Sequence, residues 1–227
     1  KLNPNCRVVV VGCASEKNPA QFEGLANVTV VKGVHGKTKV VDEILGEGVD
    51  VEQIPSAYEE TVTSTQEHTR AFVKIQDGCN NFCTYCIVPY LRGRSRSRRV
   101  ADVVAEIKQA NAAETVITGI DISQFGRDTG ESLPMLFAAL TNVPTRIRLG
   151  SLEAGVVTEE LLQSLTHVNF CPHFHLSLQS GCDATLKRMN RKYDTATYFA
   201  AVELIRRVFP TAAITTDVIV GFCGETD

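Results

Sequence analysis

Three of the eight cysteines, Cys79, Cys83 and Cys86, fall within eight residues, in the segment GCNNFCTYC that begins at Gly78. The spacing C-x-x-x-C-x-x-C lets three thiolates on one loop hold three corners of a cubane iron–sulfur cluster and leave the fourth iron open. An open iron can bind a small molecule directly, as catalytic metals keep a position free for substrate. Two other uses of three thiols stand beside this one. A structural zinc site wants a fourth ligand, commonly from a second C-x-x-C pair or two histidines, and an electron-transfer ferredoxin uses C-x-x-C-x-x-C with a remote fourth cysteine. Neither spacing is present, although Cys171, Cys182 or Cys223 could supply a fourth thiolate.

The second group able to do chemistry is the arginine run that follows: Arg92, Arg94, Arg96, Arg98 and Arg99. The whole chain is mildly acidic, with a net charge of −3, which by itself argues against a phosphate-bearing partner. The average conceals a division: residues 1–69, 70–108 and 109–227 carry −4, +5 and −4. A basic block next to the cysteine loop suits an RNA backbone brought to the site, with Arg92, Arg94, Arg96 and Arg98 as the candidate contacts. The same arginines can also form internal salt bridges to acidic residues at strand ends. A charge run on a solvated face is the plainer alternative.

Elements that can position these groups are legible from residue 70 onward. Short β-branched runs at Ala71–Gln76, Thr115–Ile120, Arg146–Ser151, His173–Leu178 and Ala213–Val220 read as strands. Between them, Val100–Asn111, Leu133–Thr141, Thr158–Leu165 and Thr195–Arg207 carry helical spacing, with Asp102, Thr158 and Asp194 or Thr195 placed to cap or begin helices. The order βαβαβαβαβ implies parallel strands and right-handed crossovers, hence an α/β barrel or open sheet with its site at the C-terminal strand ends. The cysteine loop follows the first of these strands, as that rule requires. No G-x-G-x-x-G or P-loop signature is present, which counts against a nucleotide fold of either type. Upstream, residues 7–11 and 28–31 read as two further strands, 37–45 as a short helix and the polar stretch up to residue 69 as a linker.

Length and composition set the outer bounds. With 227 residues, 44% hydrophobic and 22% charged, the chain has the make-up of one or two ordinary globular domains. Neither a membrane-length apolar run nor a signal-peptide layout is visible, so the sequence reads as cytoplasmic with no membrane partner.

The cysteine loop, placed directly after the first strand of a βα-repeat and with Tyr85 before its last cysteine, resembles the radical S-adenosylmethionine superfamily. The longer run from Phe72 to Arg98, FVKIQDGCNNFCTYCIVPYLRGRSRSR, is similar to the methylthiotransferases that modify tRNA. PHFHLSLQSG at Pro172–Gly181, MNRKY at Met189–Tyr193 and TDVIVG at Thr216–Gly221 extend that resemblance over nearly the whole chain. Among the branches the wording is nearest to the one acting on threonylcarbamoyladenosine beside the anticodon; others act on isopentenyladenosine or on a ribosomal protein. A metal-bearing RNA-binding module without catalysis is the non-enzyme alternative.

The resemblance implies a partial (β/α) barrel of the radical S-adenosylmethionine type, at residues 70–227 and cut after its fifth strand. Before it would come the C-terminal part of a small α/β domain at 1–48 and a linker at 49–69. It implies a [4Fe-4S] cluster on Cys79, Cys83 and Cys86 that binds S-adenosylmethionine and cleaves it reductively to a 5′-deoxyadenosyl radical. A second cluster, held by the N-terminal domain, would supply sulfur; Cys13 matches one of its ligands, while Cys6, at a strand start, reads as packing. Around S-adenosylmethionine the resemblance places Tyr85, Ser151, Glu153, Gln179, Arg191 and Asp217, with Arg191 suited to a carboxylate. Asp121 and Ser123 occupy the family's amino-group site. His173 and His175, two apart on a strand, share a face and read as barrel lining rather than metal ligands. Implied partners are tRNA, a sulfur donor and an electron donor such as flavodoxin or ferredoxin. The chain reads as a piece of a longer enzyme, inactive alone.

Overall fold

The computed structural model describes residues 8–35, 54–58, 60 and 69–225. The helix expected over 37–45, most of the linker and Cys6 lie outside them. A first parallel pair, β1 (Val8–Val11) and β2 (Val28–Lys32), is connected through α1 (Cys13–Lys17), which opens one residue after Gly12.

The larger body begins at β3 (Arg70–Asp77) and continues through α2 (Val88–Leu91), β4 (Arg96–Ser97), α3 (Val100–Ala110), β5 (Glu114–Gly119), α4 (Leu133–Ala139) and β6 (Arg146–Leu149). It ends with β7 (Ser151–Leu152), α5 (Glu159–Thr166), β8 (His173–Leu176), α6 (Asp183–Arg188), α7 (Thr195–Val208) and β9 (Ala213–Thr215). Strands β3, β5 and β6 pair in parallel and in chain order, as do β7, β8 and β9. A parallel bridge from Ile147 to Phe170 joins the two sets. The result is a curled half-barrel of α/β type. Its bend falls at Gly150, whose N–H donates to Ile117 O at 2.8 Å before the chain turns to pair with β8 instead of β5.

The crossover helices cover the convex face, because the strands put one side chain in two toward them. Val73 and Ile75 on β3, Ile117 on β5, Ile147 on β6 and Phe174 on β8 are at most 1% exposed, packed with Ile107, Leu136, Phe137, Leu162 and Leu165 from the helices. Burial of that kind contributes roughly 1.5–3 kcal/mol per large side chain. Caps fix where the helices start: Thr158 accepts from Leu161 N–H and Asp194 from Thr197 N–H, as the sequence predicts, and Ser132 does the same for α4. Asp102 lies in the first turn of α3 rather than at its cap, which is Arg99.

Three features differ from the sequence reading. The fifth strand is only three residues long, with one further bridge from Gln179 to Val218, and Val218 and Val220 are exposed. The strand expected over 146–151 is split at Gly150. The arginine run, where the sequence reading placed no strand, contains β4, which pairs antiparallel with the end of β3 through Gln76–Ser97 and Asp77–Arg96. Among the described residues no helix is long and apolar enough to cross a membrane.

Candidate active site

The cysteine loop leaves β3 through Gly78, whose φ is +73° and where an added Cβ would fall 2.0 Å from Arg94 O. Only glycine tolerates both conditions. Beneath the loop lies Gln76, fully buried, with Nε2 donating to Gly78 O at 2.7 Å and Ser95 Oγ at 2.8 Å. Its Oε1 accepts from Asp121 N–H at 2.8 Å, so one side chain ties β3, β4 and the loop after β5 together.

A second anchor comes from the far end of the chain. Thr84 N–H donates to Met189 O at 3.1 Å and its hydroxyl to Arg188 O at 3.1 Å. Asn190 Nδ2 donates to Asn81 O at 3.2 Å and Phe82 O at 2.9 Å. Lys192 Nζ holds the amide in that orientation through Asn190 Oδ1 at 2.9 Å. Phe82 and Asn190 both have left-handed backbones, φ +51° and +59°, a conformation that Asn adopts readily and Phe only under constraint.

Cys79, Cys83 and Cys86 line one cavity of about 160 Å³ together with Asn81, Tyr85, Asp121, Ser151, Glu153, Ser177 and Arg191. Within it, Asn81 Nδ2 bridges two carboxylates, Asp121 Oδ2 at 2.9 Å and Glu153 Oε1 at 3.0 Å. Arg191 is 7% exposed at its side chain and pairs with Glu153 at 2.9 Å. It also donates to Cys83 Sγ at 3.2 Å and Tyr193 Oη at 3.1 Å, with Tyr85 Oη at 3.5 Å. Glu153 is placed by its own N–H, which donates to Ser123 Oγ at 2.9 Å.

The electrostatics follow from two carboxylates sharing one cation in a half-closed space. Burial, and for Glu153 the Asp121 carboxylate, push both groups above the usual carboxylate range, against the pull of Arg191. Arg191 is held charged: burial opposes its charge, and Glu153, Tyr193, Cys83 and Tyr85 together more than compensate. Burial, with Asp121 adding to it, pushes the Cys79 thiol up to about 12, and burial does the same for Tyr85.

The donor set fits a cubane cluster. A cubane spreads its cysteine ligands over separate irons, so three thiols of one loop lining one cavity suit it. None of Cys171, Cys182 and Cys223 lines the cavity: Cys171 is buried and accepts from Arg146 Nη2 at 3.1 Å, and the other two are exposed.

Of the residues read from the sequence around the cofactor, Tyr85, Ser151, Glu153 and Arg191 line this cavity, as does Asp121. Gln179 and Asp217 do not; their backbones join the ends of β8 and β9, where Gln179 N–H donates to Asp217 O at 2.9 Å, and the Asp217 side chain is 77% exposed. It faces His175 Nε2 at 3.4 Å. His175 Nδ1 and His173 Nε2 each lie 3.1 Å from the Thr215 hydroxyl, on one face of β8.

The arginine run divides. Arg92 and Arg96 both face Asp77, at 3.2 and 3.8 Å, and Lys74 adds a third cation at 2.7 Å. Burial raises the Asp77 carboxyl, and Lys74, the Gly78 N–H and Arg92 bring it below its ordinary value. Arg98 pairs with Glu60 at 2.7 Å and with Glu106. Arg96 and Arg98 are buried, while Arg94 and Arg99 are exposed. Arg92 also reaches Cys13, which begins α1.

Asn81, Asn190, Thr84 and Gln76 are the site residues that sequence reasoning missed. Asn81 gave one signal, its place inside the cysteine spacing. The others are polar residues whose partners lie far off in the chain.

The profile of the Radical SAM superfamily matches residues 73–227, and the chain belongs to that superfamily, whose members use a [4Fe-4S] cluster and S-adenosylmethionine. Among curated proteins it is similar to tRNA methylthiotransferases. It is 36% identical over 237 residues to the threonylcarbamoyladenosine tRNA methylthiotransferase MtaB of Thermotoga maritima, covering 99% of this chain and 54% of that one. It is 35% identical to the tRNA-2-methylthio-N(6)-dimethylallyladenosine synthase of Thermoanaerobacter sp., covering 99% and 52%. The chain thus spans about half the length of these relatives. In fold it is similar to the cobalamin-dependent S-adenosylmethionine radical enzyme OxsB, with a TM-score of 0.67 at 14% identity, over 93% of this chain and 36% of that one. The radical S-adenosylmethionine methyltransferase TsrM of Kitasatospora setae matches with a TM-score of 0.52 at 15% identity, over 66% and 30%.

Proposed function

We propose that this chain is the catalytic portion of a tRNA methylthiotransferase that adds a methylthio group to threonylcarbamoyladenosine next to the anticodon. The observation that carries the reading is the cavity at the C-terminal strand ends, where three cysteines of one loop stand with a buried arginine and two under-neutralised carboxylates. Cys79, Cys83 and Cys86 would hold the [4Fe-4S] cluster, which when loaded supplies one electron and an open iron for S-adenosylmethionine. Arg191, half neutralised by Glu153, would receive the methionine carboxylate; Glu153 and Ser151 offer acceptors to the sugar and amino groups, and Tyr85 covers the loop. The raised carboxyls of Asp121 and Glu153 gain a positive partner when a cationic ligand enters, which favours binding of a sulfonium.

The division into residues 1–48, 49–69 and 70–227 belongs to the same proposal, with Cys13 as one ligand of a second cluster and an electron donor and a sulfur donor as partners. Supporting it, the superfamily match begins at residue 73. The threonylcarbamoyladenosine branch rests on the sequence wording and on relatives of that name at 34–38% identity. The dimethylallyladenosine branch is the second reading, since relatives of that name reach 35%.

Two measurements test the proposal. Anaerobic reconstitution should give an iron–sulfur protein that releases 5′-deoxyadenosine from S-adenosylmethionine under dithionite; no release defeats it. Mass spectrometry of tRNA nucleosides from a deletion strain should show loss of the methylthio form of threonylcarbamoyladenosine. Loss of the dimethylallyl form instead selects the second reading.

A further inference from the structure

The buried and exposed members of the arginine run differ in what they leave for a partner. Arg92, Arg96 and Arg98 are matched to Asp77, Glu60 and Glu106 inside the fold. Arg94 is exposed and, among the described residues, has no carboxylate within ion-pair distance; its guanidinium instead lies over the ring of Phe82, 4.5 Å from the centroid. Phe82 in turn meets Tyr90 edge to face, centroids 5.4 Å apart and planes at 85°. Tyr90 is 68% exposed, beside a buried Pro89, and its own N–H donates to Ile87 O at 3.0 Å, so the turn that presents it is fixed.

The cysteine loop links this patch to the cavity, whose lining includes Asn81 and Cys83 on either side of Phe82. Phe82 sits between Cys79 and Cys83 on the cysteine loop, and its left-handed backbone is held by Asn190 Nδ2 on Phe82 O at 2.9 Å. The combination of a flat guanidinium, a ring and a phenol hydroxyl matches the face of an unstacked nucleobase and the phosphate beside it.

We propose that Arg94, Phe82 and Tyr90 form a stacking platform that takes an unpaired base of the RNA substrate at the rim of the cavity, Arg94 also meeting the backbone. The proposal deepens the methylthiotransferase reading and rests on it: the platform would splay the loop so that the target adenosine reaches the site. Within the arginine run it assigns RNA contact to Arg94 and withdraws it from the buried Arg96 and Arg98.

The test uses the full-length protein, reconstituted anaerobically, and a fluorescent anticodon stem-loop carrying the modified adenosine. Tyr90→Ala and Arg94→Ala are each expected to weaken binding about 10-fold, in the range for loss of one stacked base. Arg94→Ala should also lower the slope of affinity against salt by about one ion. Tyr90→Phe keeps the ring and should bind within about two-fold of wild type, as should Lys108→Ala, an exposed lysine at the C-terminal end of α3. Iron content and melting temperature are measured on each variant, and Arg94→Lys stands in should Arg94→Ala fail to fold. Wild-type binding that Tyr90→Ala and Arg94→Ala leave unchanged overturns the platform and leaves the methylthiotransferase reading intact. Unchanged RNA binding with slower cluster reduction by a protein electron donor overturns it in favour of a protein-docking face. A wild-type protein that binds no RNA overturns the reading and the platform together.

Discussion

At the N-terminal ends of the strands Glu114 faces three arginines, Arg70 at 2.7 Å, Arg148 at 3.1 Å and Arg146 at 3.7 Å. At the C-terminal ends Asp121 and Glu153 share Arg191 and the amide of Asn81. Both carboxyl environments feel burial, yet the first is held below the usual range and the second pair is pushed above it. The sign of the imbalance separates an end that is complete in itself from an end that lacks positive charge. The sulfonium of S-adenosylmethionine would supply charge of that sign. A stability-only arrangement would have placed the surplus arginines where the carboxylates are crowded.

The largest expected effect breaks the crowded end. Cys83→Ala removes one of three thiols from the cavity and should abolish the visible absorption of the reconstituted cluster and reduce S-adenosylmethionine cleavage to background, measured anaerobically. Next comes the arginine run, where burial decides the cost. Arg98→Ala leaves Glu106, only 10% exposed, without its partner and should destabilise the protein by about 3 kcal/mol in urea titrations. Arg99→Ala, at a 63% exposed side chain, should stay within about 0.5 kcal/mol of wild type.

A smaller effect probes the anchor between the two halves of the chain. Asn190→Asp keeps an αL-tolerant residue but turns a carboxylate toward the carbonyls of Asn81 and Phe82. It should cost about 2 kcal/mol and lower the iron retained on gel filtration, whereas Asn190→Gly, which keeps the backbone, should cost less than that. The smallest concerns the well-paired end. Because the folded Glu114 is held below its ordinary 4.5, its contribution is present above that pH and is lost as the pH falls through the folded value. Glu114→Gln should cost about 1 kcal/mol at neutral pH and flatten the acid limb of stability below about pH 4, read from urea midpoints against pH.

What was legible in the sequence follows the range of the interactions. The cysteine loop and the five parallel strands rest on local spacing and β-branched runs, so Cys79, Cys83 and Cys86 and the strand–helix order could be read directly. Helices α2 and α6, of four and six residues, are too short to display a period. Strand β4 was hidden because Arg96 and Arg98 look solvated until Asp77 and Glu106 are brought beside them. Asn190 contacts residues 108 and 109 positions away, and Asn81 carboxylates 40 and 72 away, so neither role leaves a trace in local pattern.

The central claim is that the crowded end takes a redox cluster and S-adenosylmethionine together. Electron paramagnetic resonance of the reduced, reconstituted protein with and without S-adenosylmethionine tests it most directly. A cluster signal that changes when the cofactor is added, and that is lost in the Cys83→Ala protein, is the predicted result. A signal indifferent to S-adenosylmethionine would contradict the account.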